Sequence, residues 1–368
     1  MNQDTMLFKG QQLLADECLS DLKYSYKIDP TNQLIIVRGD HGNGKSNFVN
    51  YIEQELPHKD WITVRTSIDE TTKYDLMIED LINKIQVYFD KSDEKVKYGN
   101  FSIEFANLLA KMQRHTKKNV LLIFDGMRLN HCSRKWFETF QWIISQNEHI
   151  AMLMTVEPEK LYKMQHSKDL KFFLTECGRR IDLPRATPNE IQKAFQTLFK
   201  EHKRNIDESV LNQITRLTQG NAYAYHVLSN LLLKVTQKGD SITGIKVYAV
   251  LNEYDAMLQK LYFDLFNCLS PSEQTFLLGL VQINESPTKL INVINKIRKQ
   301  AEQDKDDSNQ DRSTAYWAAI RKKLTDCNLI VTPAYGTIAF RLPRFAEYVL
   351  MASENNLSKM WDNADPFR

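Results

Sequence analysis

Five short apolar runs punctuate the first half of the chain: Leu34–Val37, Trp61–Val64, Val120–Phe124, Ile150–Thr155 and Ile181–Leu183. Their length and β-branched content predict buried strands. Between them the apolar positions change period. Phe48, Val49, Ile52 and Leu56 recur at spacings of three and four, and so do Leu76, Ile78, Leu81, Ile82, Ile85 and Phe89 within the segment from Tyr74 to Phe89. Such spacings put one apolar stripe on a helix. Strands that alternate with helices predict an α/β fold, a mainly parallel sheet covered on both faces in three αβα layers.

After Pro184 the strand pattern stops. The segment TPNEIQKAFQTLFKEH opens as a capped helix, with Thr187 as N-cap, Pro188 at the first position and Glu190 at the third. Helical spacing continues through DESVLNQITRLTQGNAYAYHVLSNLLLKVT, broken at Gly220-Asn221. SPSEQTFLLGLV, SPTKLINVINKIRKQ and STAYWAAIRKKLTDCN each read as a further helix. LIVTPAYGTIAFRL reads as two short strands about a Tyr-Gly turn. Three helices followed by a hairpin is the order of a winged helix-turn-helix. The expected organisation is therefore an α/β domain over 1–185, a helical domain over 186–246 and a winged-helix-like domain over 247–368. The polar stretch Gln300–Ser313 is expected to be a solvated loop, and no internal repeat is evident.

Composition adds limits. A chain of 368 residues with 42% hydrophobic and 26% charged residues is expected to fold as two or three globular domains. A net charge of +2 neither requires nor rules out nucleic acid. The five cysteines, Cys18, Cys132, Cys177, Cys268 and Cys327, form no Cys-x-x-Cys pair, which argues against a disulfide framework or a zinc site. His131 and Cys132 are adjacent, but no second ligand pair follows. The opening MNQDTMLFKGQQ lacks the apolar core of a signal peptide. No run of about 18 apolar residues is present. A soluble, cytoplasmic protein is the expectation.

The chemistry begins where the first strand ends. Gly39, Asp40, His41, Gly42, Asn43, Gly44, Lys45 and Ser46 satisfy G-x-x-x-x-G-K-[ST], with an apolar strand before and an amphipathic helix after. The glycines let backbone N–H groups turn inward on phosphate oxygens, and the helix N-terminus adds partial positive charge. Lys45 is expected on the β- and γ-phosphates of ATP, and the Ser46 hydroxyl on Mg²⁺. The bland alternative is a glycine-rich connecting turn. A second magnesium-side group is expected from VLLIFDGM, where Asp125 ends a buried strand; its bland alternative is a turn Asp-Gly.

On these residues the chain resembles the AAA+/STAND group of P-loop ATPases, closest to the origin-recognition-like, archaeal-type ATPases. FKGQQLLADECL is similar to the F-x-G-R-x-x-E-L box ahead of the loop, with Gln11 and Ala15 in place of the usual residues. RRIDLPRATPNEIQKAF resembles the group's last strand and first lid helix, LTQGNAYAYHVLSNLL its glycine-led lid helix, and FRLPRFAEYVL the tail of its winged helix. The resemblance implies an ATPase domain, a helical lid and a winged helix. It also implies Thr155 as a polar sensor, with a strand-end threonine as the alternative, and Arg180, beside Arg179, as an arginine finger acting on a neighbouring subunit, with an ordinary solvated basic pair as the alternative. Departures stand beside these matches. Gly126 occupies the place of the usual catalytic glutamate, and Met127-Arg128-Leu129 do not supply the acidic pair of the NACHT pattern. The lid arginine aligns near Tyr223. Glu157 and Glu70 are stand-in bases that spacing does not support.

Basic residues of the last unit, Arg312, Arg321, Lys322 and Lys323, are candidate contacts to double-stranded DNA, with a solvated helix face as the alternative. The leading expectation is an ATP-binding, ATP-hydrolysing protein whose nucleotide state controls self-assembly or DNA or protein engagement. A slowly hydrolysing nucleotide switch or scaffold and a small-molecule kinase are the alternatives.

Overall fold

The computed structural model of the chain describes residues 7–25, 33–67, 74–87, 101–127, 142–143, 149–158, 179–283, 285–304, 309 and 311–353. Glu70, Phe89, Arg128, Leu129, His131, Cys132 and Cys177, named above, lie outside them. The chain divides into two compact units, Met1–Pro184 and Arg185–Arg368.

In the first unit, β1 (Leu34–Arg38), β2 (Trp61–Ser67), β3 (Asn119–Met127), β4 (Ile150–Val156) and β5 (Arg179–Asp182) form a sheet in the order β2-β3-β4-β1-β5. Every pairing in it is parallel. The five runs expected from the sequence are these five strands. Their alternation builds two cores. Leu34, Ile36, Val120, Leu122, Phe124, Met152 and Met154 pack on one face with α3 (Tyr74–Gln86) and α4 (Phe101–Thr116). Ile35, Val37, Leu121, Ile123, Ala151 and Leu153 pack on the other with α1 (Lys9–Ser20) and α2 (Lys45–Glu55). Side chains that alternate at period two, all buried, require helices on both sides. This is the three-layer αβα fold of P-loop proteins.

The second unit opens with α5 (Pro188–Glu201), α6 (Glu208–Thr218), α7 (Ala222–Lys234) and α8 (Gly244–Asn267). The expected cap of α5 is in place: Thr187 Oγ1 accepts from the Glu190 N–H at 3.3 Å, and Glu190 Oε2 accepts from the Thr187 N–H at 2.8 Å. Gly220 has φ +73°, and a Cβ there would lie 2.2 Å from the Ala186 carbonyl oxygen. Only glycine lets this turn approach so closely. Helix α8 runs unbroken through residue 246, where a domain boundary was expected. Short strands β6 (Asn205–Ile206) and β7 (Ser241–Ile242) pair in parallel.

Next come α9 (Pro271–Val281), β8 (Thr288–Lys289), α10 (Leu290–Asp304), α11 (Thr314–Asp326), β9 (Ile330–Val331) and β10 (Thr337–Phe340). The last three strands form an antiparallel sheet in the order β8-β10-β9. The hairpin is as expected. The start of SPTKLINVINKIRKQ is not helix but β8, because Thr288 pairs with Ile338 and Lys289 with Thr337. The fully buried Trp317 of α11 lies 6.3 Å from Phe276 of α9, centroid to centroid.

Candidate nucleotide-binding site

The loop from Gly39 to Ser46 joins β1 to α2 at the carboxyl edge of the sheet. Gly42 (φ 70°) and Gly44 (φ 87°) take left-handed conformations that side chains resist. Gly44 is the N-cap of α2 and makes no side-chain cap, so the helix offers its first N–H groups outward. Lys45 Nζ donates to the carbonyls of Gly39 (2.9 Å) and Asp40 (3.0 Å), which arches the ammonium back across the loop.

Three further residues of the loop are buried. Asn43 is 1% exposed, and its Nδ2 donates to the carbonyls of Leu183 (2.8 Å) and Pro184 (3.0 Å) just after β5. Gln11 of α1 completes this clamp, with Nε2 donating to the carbonyls of Asn43 and Pro184, both at 3.0 Å. Gln11 stands where the resemblance leads one to expect arginine, and its amide ties the loop to the strand beside it. Asp40 and His41 are also buried. His41 Nδ1 lies 3.2 Å from Glu157 Oε1, so this stand-in base is engaged with the loop histidine.

The residues expected on the magnesium side converge. Asp125 Oδ1 accepts from Ser46 Oγ at 3.3 Å and from Thr155 Oγ1 at 2.8 Å. Thr155 Oγ1 in turn accepts from the Gly126 N–H at 2.7 Å. One carboxylate and one hydroxyl at the mouth of a phosphate loop is an oxygen-only donor set that suits Mg²⁺, which keeps several waters and binds the phosphates too. Among the described residues no cluster of three or more His, Cys, Asp or Glu offers another metal site. Ser46, Asp125 and Thr155 are thus brought together. The structure adds Arg65 of β2, whose Nη2 donates to Asp125 Oδ2.

Gly126 has φ +77°, so the position after Asp125 is shaped for glycine. Gly126→Glu is expected to lower stability by about 1–2 kcal/mol through left-handed strain and to leave phosphate release no faster. A thermal melt and a phosphate assay check this.

The candidate finger lies elsewhere. Arg180 pairs in register with Ile36. Its backbone therefore sits about 10 Å along the strand from Gly39, toward the amino end of β5. Arg179 is paired with Glu17 and Asp21 of the first helical segment. In the second unit Arg312 is exposed, its guanidinium 4.4 Å from the centre of the Tyr316 ring, and Lys322 is exposed on α11. Arg321 is half-buried. Lys323 is paired with Glu273, whose side chain is only 3% exposed. Lys323, one of the DNA candidates, thus has a visible structural task.

No protein-family model matches the chain, and no curated protein matches it. Solved structures do. A Walker-type ATPase of Pyrococcus abyssi aligns over 91% of this chain and 95% of its own, with a TM-score of 0.67 at 14% identity. The ORC2 protein of Aeropyrum pernix in its ADP form aligns over 94% and 93%, with a TM-score of 0.54 at 13% identity. The same protein in ADPNP-ADP complexes gives 0.51, over 92% and 91%, at 13% identity. At such identities the likeness is one of fold. The chain has the fold of archaeal Walker-type and origin-recognition-like ATPases.

Proposed function

We propose that the chain binds ATP or ADP with Mg²⁺ on the loop from Gly39 to Ser46 and works as a slowly hydrolysing nucleotide switch. The observation that carries this reading is the meeting of Ser46, Asp125 and Thr155 beside a glycine-shaped phosphate loop whose lysine arches over it. Lys45 takes the β- and γ-phosphates, Ser46 and Asp125 hold the metal side, and Thr155 orients Asp125. Slow turnover is favoured by Gly126 in the place of the usual base and by the engagement of Glu157 with His41. ADP and ADPNP are bound by the ORC2 protein, whose fold is similar.

Nucleotide state governs assembly or DNA engagement in this reading. The order α9-β8-α10-α11-β9-β10 supports a winged helix, with α11 and the exposed cations Arg312 and Lys322, and with Arg321, toward a DNA backbone. Arg180, at the far end of β5 from its own loop, suits an action on a second copy of the chain rather than on its own nucleotide. No helix among the described residues is long and apolar enough to cross a membrane.

Steady-state phosphate release with and without duplex DNA tests the proposal. The expected result is slow release that needs no small-molecule acceptor and changes when DNA is added. Release that requires such an acceptor would replace the switch with a kinase.

A further inference from the structure

Arg65 donates to Asp125 through a hydrogen bond that no sequence motif explains. Its position is fixed from the other side. Nη1 donates to Asn50 Oδ1 and, at 2.8 Å, to Glu53 Oε2, two acceptors one turn apart on α2. Nη2 donates to Asp125 Oδ2. Behind the side chain, the Arg65 carbonyl accepts from Lys84 Nζ at 2.9 Å, and the backbone is paired in β2 opposite Ile123. The side chains of Arg65, Glu53 and Asp125 are 26%, 23% and 11% exposed, so solvent screens the group only in part. Burial pulls the guanidinium pKa down, and its bonds and attraction to Asp125 and Glu53 outweigh that, leaving it above its ordinary value. The cation persists at every physiological pH.

We propose that Arg65 is a built-in cation on the magnesium carboxylate: it orients Asp125 and weakens the hold of that carboxylate on a divalent ion. This inference rests on the nucleotide reading above. Both Asp125 oxygens are occupied, Oδ1 by two hydroxyls and Oδ2 by a guanidinium. Hydroxyl donors can turn to accommodate a metal. A guanidinium anchored on α2 cannot leave so easily, and its charge repels any dication that shares the carboxylate. The consequence is nucleotide binding that depends only weakly on Mg²⁺, with Arg65 doing part of the orienting that the metal does when Asp125 stands alone.

The test is a fluorescent ADP analogue titrated into the full chain across Mg²⁺ concentrations, starting in chelator. Arg65→Gln is expected to tighten Mg²⁺ binding to the nucleotide-loaded site by about tenfold or more, with metal-free nucleotide affinity nearly unchanged. Arg65→Lys, which keeps the charge, is expected to remain near the wild type. Glu53→Gln supplies the opposite sign: the Asn50 anchor still holds Arg65 in place, but the carboxylate that offsets its charge is gone, so Mg²⁺ affinity falls. A purely structural Arg65 would not move the two variants in opposite directions. Unchanged or weaker Mg²⁺ binding in Arg65→Gln, with nucleotide still bound, overturns the proposal alone. A wild type that binds no nucleotide in either medium overturns it together with the reading on which it rests.

Discussion

Lys45→Ala is expected to weaken ATP binding by about 100-fold or more while leaving the fold intact. The estimate follows from charge-assisted hydrogen bonds, worth about 1.5–3 kcal/mol each, lost from two phosphates at once. The lysine stem is not part of either apolar core of the first unit, so its removal makes no cavity there. What it does in the structure is hold the carbonyls of Gly39 and Asp40. The loop has other supports, since Asn43 and Gln11 clamp it to Leu183 and Pro184. Equilibrium nucleotide titration, with a thermal melt as the fold control, checks the prediction. Lys45→Arg keeps the charge but not the compact ammonium, and is expected to recover only a small part of the affinity.

Lys323→Met is expected to cost the second unit about 2 kcal/mol, or roughly 4–8 °C in Tm. Glu273 caps α9, with Oε2 accepting from the Ser270 N–H at 2.8 Å, while Oε1 faces Lys323. Without the lysine a buried carboxylate loses its counter-charge. The cost is set below the range for a fully buried pair because the Lys323 side chain is 34% exposed and partly screened. The double variant Glu273→Gln/Lys323→Met is expected to regain most of the loss. Acid adds a second readout. Burial pushes the Glu273 carboxyl up, but Lys323 and the Ser270 N–H outweigh it and hold the carboxyl below its usual value of 4.5. Since the folded pKa is depressed, the stabilisation is present above about 4.5 and is lost as pH falls through the folded value. In Lys323→Met the loss should begin at higher pH. If the melting temperature does not move in that variant, Lys323 is not a structural residue and returns to the DNA candidates.

The sheet was legible in the sequence because its inner strands β3, β4 and β1 are buried on both faces, so Leu34–Val37 or Val120–Phe124 shows an unbroken apolar run. Helix α4 shows the same kind of signal, with Phe105, Leu109 and Met112 at spacings of four and three. Strand β8 was not available: two residues carry no period, and only pairing with β10 defines them. The loop from Gly39 to Ser46 was legible because its motif is made of consecutive residues. Its supports were not. Asn43 occupies a variable position of the motif, and Gln11 is a partner 32 residues away. Arg65 lies just past the expected strand Trp61–Val64 and belongs to no motif. Its meaning comes from the parallel pairing of β2 with β3, which sets it beside a carboxylate 60 residues distant. Lys323 is a further case, since its ion pair with Glu273, 50 residues away in sequence, is set by the packing of α11 on α9.

The central claim is that the loop from Gly39 to Ser46 holds a nucleotide. Isothermal titration of the wild-type chain with ATP in Mg²⁺ tests it most directly. The account predicts saturable binding of one nucleotide per chain, competed by ADP and weakened by about 100-fold or more in Lys45→Ala. The absence of saturable binding to the folded wild-type chain at millimolar ATP would contradict it.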